Sequence, residues 1–173
     1  MCIRDRATLD LKPRNLDEQR RWIAERSGAL AVVVAVDVVE SAGHATKITV
    51  VGFGSLSRFR DRPAYSTTVE DSVYVHRDHH GQGVGRLLLT SLVGRARDHG
   101  FHSVVARVVG PQTASMKLHQ NVGFELVGIE REVGRKFGSW VDVAVMQLMI
   151  DDFAANGAAA TTDAGDRSGE DSR

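Results

Sequence analysis

The sequence predicts an α/β protein built on a mixed sheet with helices packed against it. Three observations carry this. The middle of the chain reads strand, glycine-rich loop, helix, strand, an order that needs a crossover connection, so its two strands are parallel neighbours. Ahead of it, two β-branched runs flank a short polar turn. Behind it, two more flank "GRKFGS", and both of these pairs are antiparallel because their connections are short.

Taken in order, "NLDEQRRWIAERSG" opens on Asn15, a side chain suited to accept from the first helical N–H groups. Glu18 stands three positions on to return the bond, and Gly28 ends the helix. "ALAVVVAVDVV" (29–39) is a continuous apolar run, the pattern of a strand covered on both faces. "ESAGHA" turns the chain, and "KITVVGFGSLS" (47–57) returns as the hairpin partner. "RFRDRPAYSTT" is a polar, arginine-rich loop. "VEDSVYVH" (69–76) is a third strand that leads straight into "HHGQGVGRLLL".

The helix that follows spans 84–99, with Leu88, Leu92 and Ala96 on one face and Gly100 at its end. "HSVVARVV" (102–109) is a fourth strand, 113–122 a short helix stopped by Gly123, and "FELVGIERE" and "WVDVAVMQLMI" are the closing strands. After Phe153 the chain is small, polar and aperiodic, a composition that remains disordered. The expected organisation is a non-native or truncated start over 1–8, beginning "MCIRDR", one folded domain over 9–153 and a tail over 154–173.

Composition removes several classes of function. Lys plus Arg and Asp plus Glu each number 22 in 173 residues, so the formal net charge is zero. No nucleic acid or anionic membrane is expected as a partner. Cys2 stands alone, which excludes a disulfide framework and a thiolate metal site. No apolar run approaches the ~20 residues of a membrane span, and the start lacks a secretory apolar stretch. A cytoplasmic protein is expected.

The glycine stretch asks for a ligand. Gly81, Gly83 and Gly85 let successive backbone N–H groups turn towards one point, because no Cβ blocks the approach. A helix N-terminus at that point adds its dipole and unpaired donors, so phosphate is the expected occupant. A tight connection without a ligand needs one glycine, not three at alternate positions. A Walker loop would require Lys-Ser/Thr where Arg86 and Leu87 stand, and the dinucleotide spacing G-x-G-x-x-G is missed. Both arguments point away from ATP and nicotinamide cofactors.

"VEDSVYVHRDHHGQGVGRLLLTSL", "ARVVGPQTASMKLHQNVGFELVG" and "REVGRKFGSWVDVAVMQL" together resemble the GNAT N-acetyltransferases. More narrowly, "SRFRDRPAY", "VEDSVYV" and "GRKFGSW" are similar to the branch that acetylates phosphinothricin, methionine sulfoximine and related amino-acid analogues. The resemblance implies a mostly antiparallel sheet with a splayed parallel strand pair at an acetyl-CoA site. It places the family's pyrophosphate loop on His80, Gly81, Gln82, Gly83, Val84 and Gly85, continuing to Arg86, and gives Val73, Tyr74 and Val75 the pantetheine and acetyl carbonyl. Three positions depart from the family. His80 replaces Gln or Arg, Gln112 stands at the position of a cofactor-binding asparagine, and Asn121 at that of a lysine near the CoA. The family also has a strand and a helix ahead of "LDLKPRN" that this chain is expected to lack, and a homodimer is common in it.

Acetyl transfer to an amine requires a held cofactor, a polarised thioester, a deprotonated amine and a stabilised leaving thiolate. The resemblance makes Glu70 the base and His119, in "KLHQNVGF", the group that protonates the thiolate; a helix-face histidine packed on the sheet is the competing reading of His119. Arg60, Asp61, Arg62 and Tyr65 of the loop, with Glu70, Asp71 and Ser72, form the expected acceptor site. Guanidinium forks there would pair with a carboxylate or phosphinate, and the carboxylates would attract the acceptor's ammonium. His76, His79 and His80 have no carboxylate or cysteine arrangement behind them, so no metal is expected. The alternatives are a catalytically silent acyl-CoA-binding fragment or sensor and, more weakly, a nucleotide-binding β-α-β module.

Overall fold

Asn15 caps helix α1 (Leu16–Ala24) in the reciprocal manner its spacing to Glu18 predicts. Its side chain accepts from the Glu18 amide at 2.9 Å, and the Glu18 carboxylate accepts from the Asn15 amide at 2.8 Å. The structure is a computed structural model and describes residues 8–26, 28–30, 32–39, 46–110 and 114–150. The expectations for 1–7, for Gln112 and for the tail lie outside these residues.

The strands are β1 (Val32–Val39), β2 (Lys47–Arg58), β3 (Thr68–Val75), β4 (Ser103–Val109), β5 (Glu125–Lys136) and β6 (Ser139–Met149), with α2 (Val84–Asp98) and α3 (Ala114–Val122) between them. They form one six-stranded sheet in the order β1-β2-β3-β4-β6-β5. Only β3 and β4 are parallel; every other neighbouring pair is antiparallel. The crossover through α2 is what makes that one pair parallel, as the β-α-β order requires.

The core lies where α2 crosses the sheet. Leu88, Leu89, Leu92, Val93 and Ala96 bury one face of the helix, and Leu56, Val69, Val104, Ala106, Met146 and Leu148 belong to the same apolar interior. Two glycines on β2 admit the helix. A Cβ on Gly52 would lie 3.0 Å from the Leu88 Cδ1 and one on Gly54 would lie 2.8 Å from the Leu92 Cδ1. Close approach of a helix to the middle of the sheet therefore requires the absent side chains.

Two expectations need correction. The run 29–39 does not form a strand covered on both faces. β1 begins at Val32 and forms the edge of the sheet, where only Ala35 is buried and Val34, Val36 and Val38 are exposed. An apolar run records composition but not whether neighbours arrive on both sides. The "GRKFGS" turn is also shorter than expected: β5 continues to Lys136, and Phe137 (φ 51°) and Gly138 (φ 78°) alone turn the chain. Two successive residues at positive φ match the twist of the flanking strands.

Candidate active site

The parallel pair β3–β4 opens like a wedge. Its register runs from Thr68↔Ser103 to Asp71↔Ala106 and stops there. Beyond that point β3 continues to Val75 paired with β2 alone, and β4 continues to Val109 paired with β6 alone. From Ser72 onward β4 no longer pairs with β3, so the two strands diverge there. Val73, Tyr74 and Val75 lie along this diverging stretch. The His80 ring has one assignment here: its Nε2 lies 3.0 Å from the Val75 carbonyl oxygen, so the ring closes the strand end.

The glycines divide into two roles. Gly81 (φ 75°) and Gly83 (φ 83°) occupy the left-handed region, and nothing lies within 4 Å of where their Cβ atoms would be. Gly83 stands at the N-cap of α2 and, as a glycine, brings no capping side chain to the first-turn amides at the positive end of the helix. Gly85 is different. A Cβ there would lie 3.0 Å from the Leu118 Cδ2, so this glycine lets α3 pack on α2. Gln82 donates to the Asp78 carbonyl at 3.0 Å. Val84 begins the helix, while Arg86 and, on α3, Asn121 are exposed.

Glu70 and Asp71 sit at the closed end of the wedge and point to opposite faces, as successive residues of a strand must. Glu70 is half-buried beside its register partner Ser57, whose hydroxyl donates to the Glu70 carbonyl at 3.3 Å. Burial raises the Glu70 pKa above the usual carboxylate value. Arg107, itself paired with Glu130, opposes the rise, and the charges of Asp71 and Glu130 add to it. Ser72 shares this face by the same alternation. Tyr74 does too, and its ring stacks on Phe53 at 5.0 Å, with Trp22 edge-on to Phe53 at 6.3 Å. Ser57 also lines a cavity of about 310 Å³ with Glu25, Arg26, Leu30 and Arg58.

Asp71 does not share the face of Glu70. Its carboxylate is buried and lies 3.2 Å from the His119 Nε2. The His119 Nδ1 lies 2.7 Å from the Ser115 carbonyl oxygen, and the Phe124 ring is perpendicular to the imidazole at 5.0 Å. Burial alone would lower the His119 pKa, but the hydrogen bond and charge of Asp71, with the Ser115 carbonyl, raise it. The signal for this pair was available in the sequence. Asp71 shares the phase of Val69, Val73 and Val75, and His119 that of Met116 and Val122, so each is a polar residue set in an apolar stripe.

The arginine loop is held by its own aromatics. Arg60 stacks over Phe59 at 5.0 Å and Tyr65 at 5.5 Å, while Asp61 and Arg62 are exposed. Among the described residues no hydrogen bond or ion pair joins Arg60 or Arg62 to Glu70 or Asp71. Sequence reasoning passed over Arg107, Glu130, Trp22 and Phe53, because their partners come from distant strands and from α1.

A helix N-terminus at the mouth of a splayed parallel strand pair is the feature that the comparison with known proteins places in a family. The model of the acetyltransferase (GNAT) family matches residues 4–124, and the chain belongs to that family. It is 45% identical over 103 residues to an L-amino acid N-acyltransferase of Escherichia coli, a match covering 60% of this chain and 60% of that protein. It is 38% identical over 140 residues to the L-methionine sulfoximine/L-methionine sulfone acetyltransferase of Pseudomonas paraeruginosa, covering 80% and 77% of the two chains. A phosphinothricin acetyltransferase from Sinorhizobium meliloti, solved in complex with acetyl-CoA, superposes with a TM-score of 0.74 at 36% identity, covering 83% of this chain and 74% of that one. Among the described residues no helix is long and apolar enough to cross a membrane.

Proposed function

We propose that the chain transfers the acetyl group of acetyl-CoA to the α-amine of a small amino-acid-like acceptor of the phosphinothricin or methionine sulfoximine type. The observation that carries this reading is the wedge, where β3 and β4 part after Asp71 with the glycine-capped N-terminus of α2 at its mouth. These parts fit the donor. The first-turn amides after Gly83 suit a pyrophosphate, and the gap between the diverging strands suits a pantetheine arm. Acetyl-CoA would supply an activated thioester.

Glu70 then takes a proton from the acceptor's ammonium. The freed amine attacks the thioester carbon, the C–N bond forms as the C–S bond breaks, the acylated nitrogen gives its remaining extra proton to solvent, and the departing thiolate acquires a proton from solvent. A carboxylate whose pKa is raised by burial is a stronger base than an exposed one. The cavity beside Ser57, with Arg26 and Arg58 on its wall, offers guanidinium groups to an acceptor's carboxylate or phosphinate. A homodimer in the cytoplasm belongs to the same reading and is checked by light scattering and fractionation.

Calorimetric titration with acetyl-CoA, with ATP and NAD as controls, tests the donor. Release of free thiol in the presence of methionine sulfoximine or phosphinothricin tests the transfer. Selective acetyl-CoA binding without thiol release from any amine would favour the silent acyl-CoA binder instead.

A further inference from the structure

We propose that Asp71 and His119 form a buried clasp in which Asp71 is a positioning residue, holding His119 doubly protonated and α3 fixed against β3 at the closed end of the wedge. The functional part of this inference rests on the acetyl-transfer reading above. The protonation state does not.

The argument is one of donors and acceptors. The His119 Nδ1 faces the Ser115 carbonyl at 2.7 Å, and a carbonyl only accepts. The Nε2 faces Asp71 Oδ2 at 3.2 Å, and an ionised carboxylate also only accepts. A neutral imidazole carries one N–H and would leave a lone pair against an oxygen on one side. The pair is satisfied when one proton sits on Nδ1 and a second between Nε2 and Oδ2. Imidazole is the stronger base of the two, so the second proton resides on the ring. Both side chains are almost wholly excluded from water, at 4% and 1% exposure, so water cannot replace a missing partner.

Among the described residues, the charge acting on His119 is that of Asp71. The buried residues of α2, from Leu88 to Ala96, are apolar, as are Val104, Ala106 and Val108 on β4 and Ala144, Met146 and Leu148 on β6. On α3 itself Lys117 is exposed. Glu70 acts on Asp71 from the opposite face of the strand. Asp71 Oδ1 is buried without a hydrogen-bond partner, which leaves His119 as the group that compensates the carboxylate. Handing a ring proton to a departing thiolate would break that compensation. His119 therefore orients the wedge, and the expectation that it acts as the thiolate's acid gives way to this role.

Asp71↔Ala106 is the last rung before the strands part, so the clasp ties the helix to the strand where the wedge begins. Its test is nitrogen-resolved NMR of the histidine rings in the full chain between pH 5.5 and 9, with His119→Gln to assign the signal among the seven histidines. The expected result is one ring protonated on both nitrogens through pH 8. A His119 ring that is a neutral tautomer at pH 7 overturns the proposal without any variant of Asp71 having to fold. In Asp71→Asn the ring becomes neutral with its proton on Nδ1. The value of kcat then falls on the order of 10²-fold through misplacement at the wedge, with acetyl-CoA affinity less affected. An Asp71→Asn protein that folds and keeps both kcat and its pH profile removes the positioning role. Absence of acetyl transfer from any amine would sink the functional reading while the NMR result still decides the clasp.

Discussion

Glu70 and Asp71 are successive carboxylates on one strand, yet the sheet sends them into two environments. Glu70 stays half in water on the face that carries Ser57, Ser72 and the Phe53–Tyr74 stack. Asp71 enters the core face and is compensated by His119. Partial burial without a dedicated cation leaves a carboxylate able to exchange a proton. Full burial against a cation commits it to structure. Chemistry and architecture are thus separated by one residue of pleat.

The largest effect that would sharpen this contrast is on turnover. Glu70→Gln is expected to lower kcat by roughly 10²–10⁴-fold, the range for loss of a general base, while the acetyl-CoA Kd measured by calorimetry stays within a factor of about 2, since less than half a kcal/mol of binding is involved. The wild-type kcat should decline as pH falls through the raised Glu70 pKa, because only the ionised form accepts a proton. A surviving acid limb in Glu70→Gln would assign the base elsewhere.

Next comes stability, where the neighbours should exchange roles. Asp71→Asn exchanges the charge-assisted bond to His119 for a neutral one and is expected to cost about 1.5–3 kcal/mol in denaturant unfolding. The sign with pH follows from linkage. His119 has a folded-state pKa above its unfolded one, so its contribution is complete below the unfolded value and is lost as pH rises through the folded value. The difference in stability between wild type and Asp71→Asn should therefore shrink towards alkaline pH. A constant difference from pH 6 to 9 would break the comparison.

The glycines offer a third test. Gly85→Ala forces a methyl towards Leu118 and should destabilise by about 1–3 kcal/mol through overpacking. Gly83→Ala meets open space, so its cost of about 1–2 kcal/mol comes from the left-handed backbone alone. The acetyl-CoA Kd should rise more for Gly83→Ala, although both proteins lose comparable stability.

The smallest effect is again at Glu70. Its folded-state pKa lies above the unfolded one, so its ionisation opposes folding at neutral pH. Glu70→Gln should unfold at the same temperature as wild type or slightly higher. A clear loss of Tm would mean that Glu70 is a structural residue like its neighbour.

Much of the fold was legible locally. The Asn15–Glu18 cap, the apolar face of α2, the glycine stops after α2 and α3 and the β-α-β order are settled within a few residues of one another, whereas α1 ends at Ala24, ahead of the Gly28 expected to stop it. The outer hairpin was misread because the apolar run 29–39 looks the same at a sheet's edge as in its middle. Within the candidate site, the glycine loop and Glu70 came from a short continuous stretch. The clasp did not, since its partners lie 48 positions apart.

The sequence by itself determined which segments are helices and strands, that β3 and β4 run parallel, and that glycines open α2. These follow from periodicity, capping and connection length, all of which act over a turn or a strand. Only the tertiary structure decided that β3 and β4 part after Asp71, that Gly85 serves packing while Gly81 and Gly83 shape the loop, and that Asp71 belongs to His119 and not to Glu70. The physical reason is common to all three. A carboxylate's role is set by which face is desolvated and by what compensates it there, and both depend on elements that arrive from elsewhere in the chain.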